Sequence, residues 1–242
     1  MSFLYHTLIY NPLYNAFIFI FDAIPWIDVG LAVILFTIVV RLILFPLSKK
    51  AIITQVRMKE IEPELNRIRK DFPDRQIQAV KTMELYRSKK VNPFSSILLL
   101  FIQLPIIFAL YYIFIRSGFP TIHSEILYSF VSVPTNINTT FLGLVDVLQK
   151  SAIFALIAAC AQFLQLHFSL ASSGTPVKSD NPNMDAAQNA MKNMKYVFPV
   201  FVFIIAYKIS AVVAIYWAVS NIFTLVQELV VRRHIKRHEP IG

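Results

Sequence analysis

Cysteine is almost absent from the 242 residues: Cys160 stands alone, so no disulfide can close within the chain and no thiolate zinc site can be assembled. Glycine is nearly as scarce. Gly30, Gly118, Gly143, Gly174 and Gly242 are too scattered for a phosphate-cradling loop. HExxH, GxSxG and Walker patterns are missing, and His6, His123, His167, His234 and His238 are dispersed. Charge is low as well: 15% of residues are charged, where a soluble protein carries about 25%. The start of the chain has no charged n-region with a small-residue cleavage site and no Lys or Arg before Arg41, so neither a secretory signal nor an Arg-rich transit peptide is expected. Soluble enzymes are poor fits, and no metal or other cofactor is expected.

What is present is apolar: 56% of the residues. A helix needs about 20 apolar residues to cross a bilayer. Residues 27–47, 94–115 and 151–171 reach that length, and the first of these carries one full charge, Arg41. The long run from Tyr196 to Val231 is divided by Lys208 and Ser210, which predicts a short fourth span (194–207) and a fifth (211–231). Pro199 would kink the fourth, which has a re-entrant segment as its alternative. Residues 1–26, broken by Asn11-Pro12 and Pro25, read as an extracytoplasmic helix lying in the interface, with a sixth span as the alternative.

The net charge of +9 is unevenly placed. Twelve Lys and Arg fall in 48–93, with others in 172–195 and the tail 232–242, whereas the opposite side holds Arg116, Lys150 and Lys208. Basic loops mark the cytoplasm, so the N-terminus is expected outside and the C-terminus inside. Such loops also fit anionic lipid better than nucleic acid, which the chain is not expected to read. Segment 48–93 reads as a cytoplasmic helical hairpin. Ile61, Leu65, Ile68 and Phe72 form one apolar stripe; Ile77, Val80 and Met83 form a second able to pack on it, with Asp74 as N-cap between them. Residues 116–150 form an extracytoplasmic loop without clear period, 172–193 a cytoplasmic loop and 208–210 an extracytoplasmic turn.

The informative residues are polar ones within apolar runs. A charge at mid-bilayer costs about 2.5–3.5 kcal/mol on insertion scales. Arg41 lies six residues from the cytoplasmic end of its span, about 9 Å, within partial reach of a snorkelling side chain. Its neighbours argue for another role. Thr37 lies one turn away on the same face. Ser96 and Gln103 share a face of the second span, and Gln162, Gln165 and Ser169 recur along the third. Trp217, Asn221, Thr224 and Glu228 recur along the fifth, flanked by Tyr216, Ser220 and Gln227. Interhelical hydrogen bonding accounts for any single amide. The set, with an arginine, predicts a water-filled cavity open to the cytoplasm.

In order and spacing, the sequence resembles the YidC-type membrane protein insertase family. The resemblance runs through Gly30-Leu31, Arg41 and Phe45-Pro46-Leu47. It continues through Glu84-Leu85-Tyr86, Val91-Asn92-Pro93-Phe94, Ile102-Gln103-Leu104-Pro105-Ile106 and Ala109-Leu110-Tyr111. It closes with Tyr216-Trp217, Ser220-Asn221 and Gln227. About residues 27–237 are covered. The resemblance implies an all-α polytopic membrane protein of a bacterial plasma membrane. Its five-helix core would hold a hydrophilic groove open to cytoplasm and lipid and closed to the outside. Such proteins insert and help fold newly made membrane proteins, alone or with the Sec translocon, and are not enzymes. Expected partners are nascent membrane proteins and anionic lipids, with the Sec translocon, ribosome and signal recognition particle pathway as further candidates. Arg41 matches the groove arginine; Thr37, Tyr216 and Trp217 match substrate-facing positions; Gln162 or Gln165 would supply the third-helix amide. Gln103, Ser220, Asn221 and Thr224 complete the expected groove.

Three departures qualify the resemblance. The large extracytoplasmic domain of Gram-negative relatives is expected to be lacking, and Ser95-Ser96-Ile97 replaces a small Gly-Gly-Cys stretch. Lys208-Ile209-Ser210 replaces a Pro-x-Gly turn. The alternative function is a small anion channel or transporter with Arg41 as selectivity charge.

Overall fold

The computed structural model describes residues 3–92, 104–171 and 182–238, without the side chains of 170, 171, 182–192 and 236–238. Gln103, Ser96 and the opening half of the second apolar run therefore lie outside the described residues. The chain is mainly helical. Near its start come α1 (Phe3–Tyr5), a π-helical turn (His6–Tyr10) and α2 (Asn11–Ala23). Then follow α3 (Val29–Ile43), α4 (Phe45–Glu60), α5 (Glu62–Asp71) and α6 (Arg75–Ser88). The bundle continues with α7 (Leu104–Arg116), α8 (Ala152–Ala171), α9 (Pro182–Ile209) and α10 (Ala211–His238).

Among the described residues, two helices are long and apolar enough to cross a membrane, within Ala152–Ser169 and Ala211–Ile235. A third follows if α3 and α4, bent by 63° at Leu44, count as one broken span. The break comes earlier than the sequence pattern suggests, and Pro46 explains it. Its ring excludes the carbonyl four residues back and it lacks an N–H, but it suits the first turn of a new helix. By contrast α9 continues through Pro199 as one helix of 28 residues.

The core sits between α2, α3, α7 and α10. Tyr14, Phe17, Ile18, Val29, Val33 and Ile113 have essentially no exposure. Phe17 meets Phe36 and Phe114 edge-on with centroids 5.7 and 5.3 Å apart. One face of α2 is thus buried in the bundle. Asn15 fixes it further: its side chain donates to the Ile126 carbonyl and accepts from the Tyr128 N–H, at 2.8 and 2.6 Å.

The loop after α7 is ordered around a small antiparallel pair, β1 (Thr140–Phe141) and β2 (Val145–Asp146), which the sequence pattern did not reveal. It ties the starts of two helices together. Asp28 caps α3, accepting from the N–H groups of Leu31 and Leu142. Ala211 and Val212 of α10 donate to the carbonyls of Gln149 and Val147. Gly30 lies against the Phe141 ring, where any Cβ would overlap it.

At the other end α4, α5 and α6 form the hairpin. Asp74 caps α6 by accepting from Gln76 and Ile77. The packing of the two stripes is not as expected. Ile61 and Leu65 bury against Met58, Leu85, Tyr86 and Val91, while Ile77, Val80 and Met83 face outward. The amide of Gln78, donating to the carbonyls of Arg69 and Phe72, turns the face of Gln78, Thr82 and Leu85 inward instead. The base of α4 is pinned to α10, where buried Gln227 donates to the Phe45 carbonyl and to Ser48 Oγ at 3.3 and 2.6 Å.

Candidate functional site: a cavity with a polar end

A cavity of about 1040 Å³ opens between α7, α8, α9 and α10, with Arg41 of α3 at one end. Among the described residues its polar lining is Arg41, Gln162, Trp217, Ser220 and Asn221; the rest is apolar and aromatic apart from Arg116, with no Asp or Glu. The polar residues converge because α10 presents Trp217, Ser220 and Asn221 on adjacent faces, three and four residues apart.

Arg41 reaches across to α10 instead of running along its own helix. Its Nε and Nη2 both donate to Ser220 Oγ, the former at 3.0 Å. A guanidinium has five N–H donors. Three of Arg41's are left without an acceptor among the described residues, and no carboxylate pairs with it there. On α8, Gln162 is 4% exposed. Its Oε1 accepts from Trp217 Nε1 at 3.2 Å and from Asn221 Nδ2 at 3.0 Å. Its Nε2 donates to Gln165 Oε1 at 3.3 Å, so Gln165 orients Gln162 from behind and does not line the cavity. Of the two glutamines left open by the sequence, Gln162 faces the space.

Other expected groove residues lie elsewhere. Thr37 is 1% exposed and donates to its own Val33 carbonyl, within the wall. Tyr216 is buried in the main core, since the residue next to Trp217 points about 100° away around the helix. Thr224 donates to the Ser220 carbonyl and does not line the cavity. Sequence reasoning missed the greasy wall: Leu104, Ile107, Phe108 and Tyr111 of α7, and Phe198, Phe201 and Ile205 of α9. Apolar residues facing a cavity look the same in sequence as apolar residues facing lipid.

A polar patch with an arginine, one helix break from a basic hairpin, is a constellation that comparison can place. Residues 19–238 match the family described as 60Kd inner membrane protein. The chain belongs to this YidC-type family. A protein of Fusobacterium nucleatum named membrane protein insertase YidC is 32% identical over 200 residues, covering 82% of this chain and 83% of that one. Its namesake in Oceanobacillus iheyensis is 31% identical over 209 residues, covering 84% of this chain and 74% of its own length. Membrane protein insertase YidC 1 of Lactococcus lactis is 30% identical over 213 residues, covering 86% and 69%. The matched region takes in α3 to α10, so every cavity-lining residue falls within the part shared with YidC-type proteins.

Proposed function

We propose that this chain is a membrane protein insertase of a bacterial plasma membrane, working on nascent membrane proteins without nucleotide or metal. Five spans (27–47, 94–115, 151–171, 194–207, 211–231) would place the N-terminus outside and the hairpin and tail in the cytoplasm, in keeping with the basic residues. The hairpin and tail hold anionic lipid and meet the emerging chain, with the ribosome, the signal recognition particle pathway and the Sec translocon as candidate partners. The polar end of the cavity takes the substrate's short hydrophilic tail, and Arg41 attracts its acidic groups. The apolar segment then passes along the wall of α7 and α9 into lipid. Burial of that segment drives the process, at about 0.3–0.6 kcal/mol per Leu-type residue.

The observation that carries this reading is an arginine held in a cavity by a single hydroxyl, with spare N–H groups and no carboxylate in the lining among the described residues. The anion-channel alternative needs polar lining throughout; Ile107, Phe108, Phe201 and Ile205 argue against it. A photo-crosslinker placed at position 217 tests the assignment. Adducts with many ribosome-bound nascent chains are expected. A single fixed partner would indicate a dedicated assembly factor. No adducts, together with bilayer conductance, would indicate a channel.

A further inference from the structure

We propose that Arg116 is a second carboxylate-binding station, at the end of the cavity opposite Arg41, which receives the acidic side chains that Arg41 has admitted. The inference rests on the insertase reading above.

Arg116 lines the same cavity as Arg41. It stands at the end of α7 far from the hairpin, at the level where α9 turns into α10 at Ser210 and where Ile209 and Val213 complete the lining. Val213 and Ser220, the partner of Arg41, are seven residues apart on α10, about 10 Å at ~1.5 Å per residue. Between the two levels the lining is aromatic and aliphatic, with Tyr111 and Tyr112 of α7, Ile205 of α9 and Trp217 of α10. A carboxylate leaving Arg41 therefore meets a short greasy barrier with another guanidinium on its far side.

Arg116 is also unclaimed. It makes no hydrogen bond or ion pair among the described residues, and the four acidic residues at that end are each engaged elsewhere. Asp22 accepts from the Ser132 N–H and Asp28 from those of Leu31 and Leu142. Glu125 pairs with His123, and Asp146 accepts from the Leu148 N–H. Lys150 and Lys208, the other cations there, do not line the cavity.

The backbone that presents Arg116 is firmly held. Ile113 and Phe114 are buried in the core, and Tyr112–Arg116 form a π-helical turn. Ser117 closes that turn, its hydroxyl donating to the Ile113 carbonyl at 2.6 Å and its N–H to the Tyr112 carbonyl at 2.9 Å. An arginine fixed at its backbone and free at its tip suits transient capture.

The test uses the full chain in lipid vesicles and single-span substrates whose translocated tails carry either two Asp or two Asn. Protease protection of the tail reports crossing, and crosslinking at position 217 reports entry. For Arg116→Gln the ratio of acidic-tail to neutral-tail crossing should fall about two- to fivefold, as for a partly exposed ion pair, with entry of the acidic tail kept. Arg116→Lys should recover most of the ratio. An unchanged ratio overturns the proposal. So does a loss equal for both tails that appears only with anionic lipid, which would assign Arg116 to lipid phosphate. Arg41→Gln, run in parallel, separates the two levels: if it too leaves the ratio unchanged, the groove reading itself fails.

Discussion

Exchanging Arg41 for Gln removes the charge while keeping an amide able to reach Ser220. The magnitude follows from the geometry. Two guanidinium N–H groups are committed to Ser220 Oγ, three have no acceptor among the described residues, and Arg41 lines the cavity, so a substrate carboxylate could approach to a normal ion-pair distance. At about 4 Å that attraction is about 1 kcal/mol in water and about 4 kcal/mol at an effective dielectric constant near 20. The cavity is polar at the Arg41 end and apolar beyond, which places the value near 2 kcal/mol, about a 30-fold change. Insertion of an acidic-tailed single-span substrate should fall by about that factor, measured in a depletion strain and in vesicles, while a neutral-tailed twin falls far less. Raising ionic strength should shrink the gap between the two, because a hydrated groove is screened. Arg41→Lys keeps the charge but loses the paired donation to one hydroxyl, and should fall between wild type and Arg41→Gln. Equal losses for both tails, or a gap of less than twofold, would refute the electrostatic role.

Two further outcomes are expected. Gln162→Leu removes the acceptor shared by Trp217 and Asn221. At about 0.6 kcal/mol per interhelical bond, and up to about 1.7, thermal stability in detergent should drop by 1–2 kcal/mol, and a double-mutant cycle with Asn221→Leu should show a coupling near 0.6; a coupling of zero would mean the bonds contribute nothing. In the loop after α7, His123 contacts the Ser117 carbonyl through Nε2 and Glu125 through Nδ1, each at 2.9 Å. Both contacts act as donations only when the ring is protonated. The Ser117 carbonyl and then Glu125 raise its pKa above the ordinary value. A raised pKa makes this contribution complete below about pH 6.5 and lost as pH climbs through the higher folded value. Amide-exchange protection of 117–125 should therefore be greater at pH 5.5 than at pH 8, by a few tenths of a kcal/mol for so exposed a ring; protection independent of pH would remove His123 from this role.

The parts of the site that were legible in sequence are those where a polar residue stands in an apolar run. Arg41, Gln162, Trp217, Ser220 and Asn221 all announce themselves that way, because the cost of burying such groups leaves few reasons to keep them. Rotation about the helix is what periodicity resolves poorly. Thr37 shares the stripe of Arg41, yet short side chains reach only their own backbone, and Thr37 spends its hydroxyl on Val33. Tyr216 differs from Trp217 by one residue and so by about 100°, enough to put it in the core. The hairpin shows the same limit, since the contacts of Gln78 decide which face of α6 turns inward. The β1–β2 pair was invisible because two-residue strands carry no alternation to detect.

How these polar groups are satisfied bears on how a groove can accept many sequences. Gln162, Gln165, Trp217 and Asn221 bond to one another across α8 and α10. Ser210 Oγ is the one fully buried side-chain polar atom without a partner among the described residues, and it lies at the α9–α10 turn, away from the Arg41 end. Amides already paired impose little directional demand on a passing peptide, and a missing partner costs nothing when no group was left waiting for one. What demand remains comes from the spare N–H groups of Arg41 and Arg116, which ask for negative charge and not for a sequence. Selectivity of this cavity should therefore follow the charge and length of the translocated tail, and variants of Gln162 or Asn221 should weaken the bundle before they change which tails are accepted.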